Sequence, residues 1–204
     1  GMSDVYWGNP SNPRNLRAER ARFESPSRQF YLNYIVDLPF GKNGRFGRDM
    51  SRWVQPVIGG WRLSGITHLQ DGSRFTVTST GDPNNDGVYD DRPDRLGSGV
   101  LQGPQRTIDS WFNAADFAAP APYSYGNSGR NILTGPPYVN WDMSLIKQTR
   151  IADGQMLEFR LELFNAFNQV NFEEPSASFG TSLFGKIFGA HRSREIEVAL
   201  RYSF

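Results

Sequence analysis

The sequence predicts an all-β fold of antiparallel, up-and-down strands, and three observations predict it. Five stretches alternate apolar and polar residues with a period of two, the period of a strand whose two faces meet different surroundings. The chain carries 21 Gly and 13 Pro among 204 residues, a texture of short strands and turns rather than of helices. No apolar run approaches the roughly 18 residues that a membrane-spanning helix needs.

Residues 1–27 are polar and rich in Asn, Pro and Arg, and read as a loop or N-terminal extension. The first strand is RQFYLNYIVDL, with Phe30, Leu32, Tyr34, Val36 and Leu38 on one face and Tyr31, Asn33, Ile35 and Asp37 on the other. A turn rich in Gly and basic residues follows, and MSRWVQPV holds room for one helical turn. The second strand runs from about Gly60 to Leu69, with Trp61, Leu63 and Leu69 set against Arg62, Ser64 and His68; it is expected to resume after Asp71-Gly72 as SRFTVTST. From Gly81 to about Tyr138 no period is sustained. Alternation returns in NWDMSLI, and QMLEFRLELF is the most regular strand, with Leu157, Phe159, Leu161 and Leu163 against Glu158, Arg160 and Glu162. The turn between them is expected to be a three-residue loop, Ala152-Asp153-Gly154, with positive φ at Gly154. That register sets Leu163 opposite Met143 and Leu161 opposite Leu145, because a one-residue slip would mix the faces. A second irregular stretch leads to the terminal strand EIEVALRYSF.

Composition removes several function classes. With 22 Lys+Arg against 21 Asp+Glu there is no basic excess to hold nucleic acid. The absence of Cys excludes disulfide frameworks and thiol chemistry. No nucleophile elbow, phosphate-binding loop, dinucleotide fingerprint or zinc-protease motif is present, so an enzyme is not expected. Glu158 and Glu162 share a face with Arg160 and read as charges pairing along a strand row rather than as a hydrolytic carboxylate pair. His68 and His191 read as isolated.

Alternating strands admit two readings. In a soluble sandwich the apolar face lies in the core; in an outer-membrane barrel it faces lipid while polar residues line a watery lumen. Charge-dense polar faces, aromatics near strand ends (Trp61, Trp141, Phe164, Tyr202 and Phe204) and the alternation of short turns with long loops favour the barrel. On this reading the turn at 151–154 is periplasmic, and residues 28–204 form barrel strands with long external loops at 80–138 and 165–191. The alternative is a soluble all-β module binding a ligand or carbohydrate; Trp111, Phe112, Tyr123 and Tyr125 in the external loops read either as stacking residues for a ligand or as packing for the loops themselves.

A family resemblance supports the barrel. The segments IGGWRLSGI (58–66), DDRPDRLG (90–97), SWFNAADFAAP (110–120), YGNSGRNILTGP (125–136), NWDMSLIKQTRI (140–151), LEFRLELFNAFNQVNFEEP (157–175) and REIEVALRYSF (194–204) follow one another as they do in one family. In this the chain resembles the C-terminal part of an outer-membrane TonB-dependent receptor barrel of the Oar-like type. The resemblance implies a segment of a large outer-membrane β-barrel, in a protein of about 22 strands with a plugged lumen. It also implies an active receptor or transporter whose plug and TonB-contacting region lie N-terminal to this chain. The implied partners are outer-membrane lipid, TonB, the barrel-assembly machinery and an external ligand, with no cofactor. In that setting Ile196, Val198, Leu200, Tyr202 and Phe204 match a C-terminal assembly signal. An isolated segment is expected to cover its lipid-facing side with loops or a second copy.

One loop has calcium-loop spacing. In DPNNDGVYDD, Asp82, Asn84 and Asp86 stand at positions 1, 3 and 5, Val88 offers a carbonyl, and Asp90 stands at position 9. Position 12, where the bidentate Glu belongs, is Pro93; a hydrophilic turn held by Asx bonds is the other reading of the segment.

Overall fold

The computed structural model describes residues 10–42, 44–87, 89 and 91–204. In chain order the strands are β1 (Gln29–Asp37), β2 (Trp61–Gln70), β3 (Arg74–Phe75), β4 (Thr78–Ser79), β5 (Asp94–Arg95), β6 (Phe117–Ala118), β7 (Leu133–Thr134), β8 (Tyr138–Ala152), β9 (Gln155–Phe164), β10 (Ser178–Phe179) and β11 (Glu195–Ser203). One helical turn, α1 (Gln55–Ile58), precedes β2. The chain divides into two compact units.

The first is a strand unit, residues 29–70, 138–171 and 191–204. It contains a five-stranded sheet in the order β1-β2-β8-β9-β11, antiparallel throughout. Each strand pairs with neighbours in chain order once the long loops are passed over, the up-and-down arrangement that the alternation predicts. The β8–β9 register sets Met143 opposite Leu163 and Leu145 opposite Leu161, and Gly154 has φ 79°, both as expected. The turn itself differs. Ala152 pairs with Gln155, so the loop is the two residues Asp153-Gly154, and the register shifts between Arg150 and Ala152. Two-residue hairpin turns match strand twist best; the extra residue is taken up as a bulge at Ile151, which restores the face match.

The second is a loop unit, residues 10–28, 71–137 and 172–190 among those described. The stretch after Gly72 does not form one strand. It breaks into β3, antiparallel to β7, and β4, parallel to β10, while β5 pairs with β6. Among the described residues the buried apolar side chains are Phe75, Val77, Phe112, Phe117, Leu133 and Ile187, and all belong to this unit. Phe112 stands at its centre, with ring centroids 5.0 Å from Phe184, 5.8 Å from Phe117 and 5.9 Å from Phe75. Such tilted and edge-to-face contacts suit the ring quadrupoles. Of the two readings of Trp111 and Phe112, ligand stacking and loop self-packing, the placement matches the second: Phe112 is in the core, and Trp111 packs against it and donates Nε1–H to the Thr134 carbonyl at 2.9 Å.

Within the described chain the sheet's apolar side is not covered by the loops, contrary to that part of the expectation of cover by loops or a second copy. Val36, Ile196, Val198 and Leu200 remain 46%, 56%, 65% and 69% exposed. The loops spend their aromatic residues on a core of their own.

Truncating Phe112 to Ala should cost about 3–5 kcal/mol of local stability. Limited proteolysis of the full-length protein should then cut faster within 71–137, while the heat-modifiable gel migration of a folded barrel is unchanged.

Candidate functional site

The functional surface of the sheet is its pair of faces, and the register defines them. One row across all five strands is Val36, Leu63, Leu145, Leu161 and Val198. The next is Tyr34, Gly65, Met143, Leu163 and Ile196. Toward the β8–β9 turn the same face continues with Trp61, Lys147, Phe159 and Leu200, then with Thr149, Leu157 and Tyr202. Toward the other end it carries Leu32, Thr67 and Trp141, then Phe30, Leu69 and Val139. The aromatics Trp61, Tyr202 and Trp141 thus flank an aliphatic band, as at the two interfaces of a bilayer. Phe164 departs from this expectation, for it lies on the opposite face with Glu162.

That opposite face is polar. Its rows are Ile35, Ser64, Ser144, Glu162 and Glu197, then Asp37, Arg62, Ile146, Arg160 and Ala199, then Gln148, Glu158 and Arg201. The charges answer one another. Arg62 Nε donates to Asp37 Oδ1 at 2.6 Å, and Gln148 Nε2 to Glu158 Oε2 at 2.9 Å. Arg160 lies 3.1 Å from Glu158 and 3.7 Å from Glu162. These are partly exposed pairs of small individual worth, suited to a hydrated wall.

The two histidines are not isolated from each other. His68 stacks on Tyr31 at 4.1 Å and meets Tyr138 at 5.1 Å, while Tyr138 meets His191 edge-on at 5.2 Å. Sequence spacing hides this row, because its members come from β1, β2, the start of β8 and the segment before β11.

In the loop unit two of the segments that carry the resemblance, DDRPDRLG and YGNSGRNILTGP, dock on each other. The Arg95 amide donates to Asn127 Oδ1 at 2.7 Å, the Asn127 amide to Asp94 Oδ1 at 3.0 Å, and the Ser128 amide to the Pro93 carbonyl at 3.1 Å. Gly126 sits so close that a Cβ there would lie 1.9 Å from the Arg92 carbonyl oxygen; no other residue fits. Asp91 and Pro93 are fully buried. The Arg92 guanidinium pairs with Glu19, both side chains being at most 3% exposed, and Arg130 approaches the same carboxylate at 3.8 Å. The Asn131 side-chain amide donates to the Arg22 carbonyl at 2.7 Å. The N-terminal loop is thereby fastened to the unit through Glu19 and Arg22.

The calcium-spaced loop is held by Asx bonds. Asp82 accepts the Asp86 amide at 3.1 Å and the Gly87 amide at 2.8 Å, one on each carboxylate oxygen. Asn84 Oδ1 accepts the Asp86 amide at 2.9 Å, and its Nδ2 donates to Asp91 Oδ1 at 2.7 Å. The Tyr125 hydroxyl donates to Asp86 at 3.1 Å; burial first, and then this bond, push its pKa above the ordinary tyrosine value. Val88 and Asp90 lie outside the described residues. Among the described residues no group of three or more His, Asp or Glu side chains is gathered as metal ligands, and the described oxygens of Asp82 and Asn84 accept main-chain amides of the turn.

In β11, Ile196, Val198, Leu200 and Tyr202 all sit on the aliphatic face, at least half exposed, and Phe204 follows at 96%. The soluble reading required Leu157, Phe159, Leu161 and Leu163 to line a core. They are half-buried, and no apolar residue of the sheet is among the buried ones. A family model described as an outer membrane beta barrel domain matches residues 2–197. The chain belongs to that family. Comparisons with curated proteins and with solved structures give no match. As an outer membrane beta barrel domain it resides in the cell outer membrane, and its aliphatic face is the lipid-facing one.

Leu161→Arg, in the middle apolar row, should destabilise the folded barrel by about 2–4 kcal/mol, whereas Ser144→Arg on the polar face should stay within about 1 kcal/mol. Urea titrations of the full-length protein folded into phospholipid vesicles would measure both.

Proposed function

We propose that the chain is the C-terminal sector of the barrel of a TonB-dependent outer-membrane receptor of the Oar-like type. In this role it supplies barrel wall, external loops and the strand on which assembly is directed. The observation that carries the reading is the mutual docking of DDRPDRLG and YGNSGRNILTGP. Two segments that mark the resemblance in sequence meet at Asn127, Asp94 and the close approach of Gly126. The sheet gives independent support. Its edge strands β1 and β11 each have one partner, and an open strand edge is not tolerated in hydrocarbon. Five strands also fall short of the smallest bacterial barrels, of about eight. Further strands beside β1 and β11 would close the wall.

On this reading the Asp153-Gly154 turn is periplasmic, and the loop unit, whose segments join strands at the opposite end, is external. The chain is a receptor part and not an enzyme. The row Tyr31, His68, Tyr138 and His191 lies on the lumen face near the external end, where an incoming ligand would pass. Transport requires the plug and the energy-coupling segment of a TonB-dependent receptor. Full-length protein should co-purify with the periplasmic domain of TonB; repeated failure to do so, with a folded barrel present, would refute the receptor assignment.

Ile196, Val198, Leu200, Tyr202 and Phe204 are proposed as the strand read by the barrel-assembly machinery. They present one uninterrupted exposed face, aromatic at its end, on a strand with an open edge. Phe204→Ala in the full-length protein should lower its outer-membrane level several-fold and leave precursor in the periplasm. An undiminished level would count against the role.

A further inference from the structure

The segment joining β1 to β2, residues 38–60, is more than a turn. It carries Lys42, Arg45, Arg48 and Arg52 against a single acid, Asp49, in a chain whose net charge is only +1. Its aromatic and aliphatic residues are turned outward: Phe40, Phe46, Met50, Trp53 and Val57 are 46%, 53%, 52%, 77% and 66% exposed. Arg52 lies over the Trp53 ring at 4.9 Å and Arg45 over Phe46 at 5.7 Å. The shape is fixed from within, since Gln55 Nε2 donates to the Gly47 carbonyl at 2.7 Å and to the Arg48 carbonyl at 3.1 Å.

Three side chains of the lipid-facing side of the sheet decide where this elbow lies. Trp61 donates Nε1–H to the Val57 carbonyl at 3.0 Å. Thr149 donates to the Pro56 carbonyl at 3.4 Å. The Lys147 ammonium bonds the Gly59 carbonyl and stands 5.8 Å from the Trp61 ring. All three belong to the aliphatic face, at its Trp61 and Tyr202 end. The elbow is thus folded back along the outside of the wall, at the level where the aliphatic band gives way to aromatics. Lys147, only 9% exposed, is tolerated on that face because the carbonyls of Gly59, just after α1, and of Gln148 accept from its ammonium.

We propose that residues 38–60 form an interfacial anchor that binds the headgroups of anionic glycerophospholipids. Arg45, Arg48 and Arg52 meet the phosphates, while Phe46, Trp53 and Val57 enter the acyl boundary. Exposed aromatics beside arginines, continuous with a lipid-facing surface, fit a membrane interface, and the local positive charge fits an anionic leaflet. The choice of glycerophospholipid rests on the periplasmic placement of the Asp153-Gly154 end.

The test uses full-length protein reconstituted into vesicles. Brominated phosphatidylglycerol and brominated phosphatidylcholine, used in turn to quench tryptophan fluorescence, give the relative binding constant of the two lipids. The wild type should prefer phosphatidylglycerol. The preference should fall by about five-fold for each arginine replaced by glutamine, approaching unity in the Arg45→Gln/Arg48→Gln/Arg52→Gln variant. Heat-modifiable migration would confirm that this variant is folded. Equal constants in the wild type, or an unchanged preference in the variant, would overturn the proposal. So would competition by millimolar glycerol phosphate, which would mark a site for free phosphate. Orientation is read separately. An Asp153→Cys variant should react with a membrane-impermeant maleimide only after the outer membrane is permeabilised. Labelling in intact cells would overturn the leaflet assignment whatever the lipid result.

Discussion

In a sheet that separates lipid from water, the parity of every residue is a solvent assignment. Moving one strand by one position would carry Glu158, Arg160 and Glu162 onto the lipid face and Leu157, Phe159 and Leu161 onto the wet one. Five strands must therefore agree, and the row from Val36 to Val198 is the line along which they do. The rest of the strand unit serves that agreement. The bulge at Ile151 exists because the best turn, Asp153-Gly154, and the best face match differ by one residue. Lys147 is the one charged residue in the aliphatic rows described, and it sits where the Gly59 carbonyl of the 38–60 elbow and the Gln148 carbonyl of its own strand can receive it.

Hydrophobic residues in this chain thus have two destinations. Those of the sheet are spread over an outward face and rely on lipid for their cover. Those of the loop unit gather around Phe112 and hold segments from distant parts of the chain without help from lipid. Long loops without cores are uncommon; here short strand pairs, aromatic contacts and the buried Arg92–Glu19 pair supply the order. Breaking a buried pair of this kind leaves an uncompensated charge, at a cost of about 3–5 kcal/mol. Glu19 and Arg92 are consequently as much a part of the loop unit as its phenylalanines.

The strands and their faces were legible because a period of two carries its own register, as Leu161 and Leu163 show. The loop unit was not legible to the same depth. Its strands are two residues long, too short for any period, and their partners lie far along the chain, as Asp94–Arg95 with Phe117–Ala118. The segments around Asp91-Arg92-Pro93 and Gly126-Asn127 could be singled out as motifs, but nothing in their spacing says that they touch. The calcium spacing of Asp82, Asn84 and Asp86 could be read either way, because ligands for a cation and acceptors for backbone amides are the same oxygens. The histidines read as solitary for a simpler reason: Tyr138, which links them, belongs to β8, whereas His68 is in β2 and His191 in the segment before β11. That the elbow at 38–60 folds back onto the wall was invisible, since it depends on side chains of Trp61, Lys147 and Thr149 finding main-chain carbonyls.

The base of the longer loop has a kinetic meaning. β2 and β8 are neighbours in the sheet although residues 71–137 intervene, and joining such distant partners costs chain entropy that grows with the separation. Within the loop unit, however, Arg74 already faces Thr134, Phe75 faces Leu133, and the Gly135 amide reaches the Ser73 carbonyl at 2.8 Å. Once that clasp has formed, the search left to the two long strands is that of a tight hairpin. A chain with its loop unit already clasped would present β2 and β8 as a ready pair, and the non-local pairing of these two strands would become a local one.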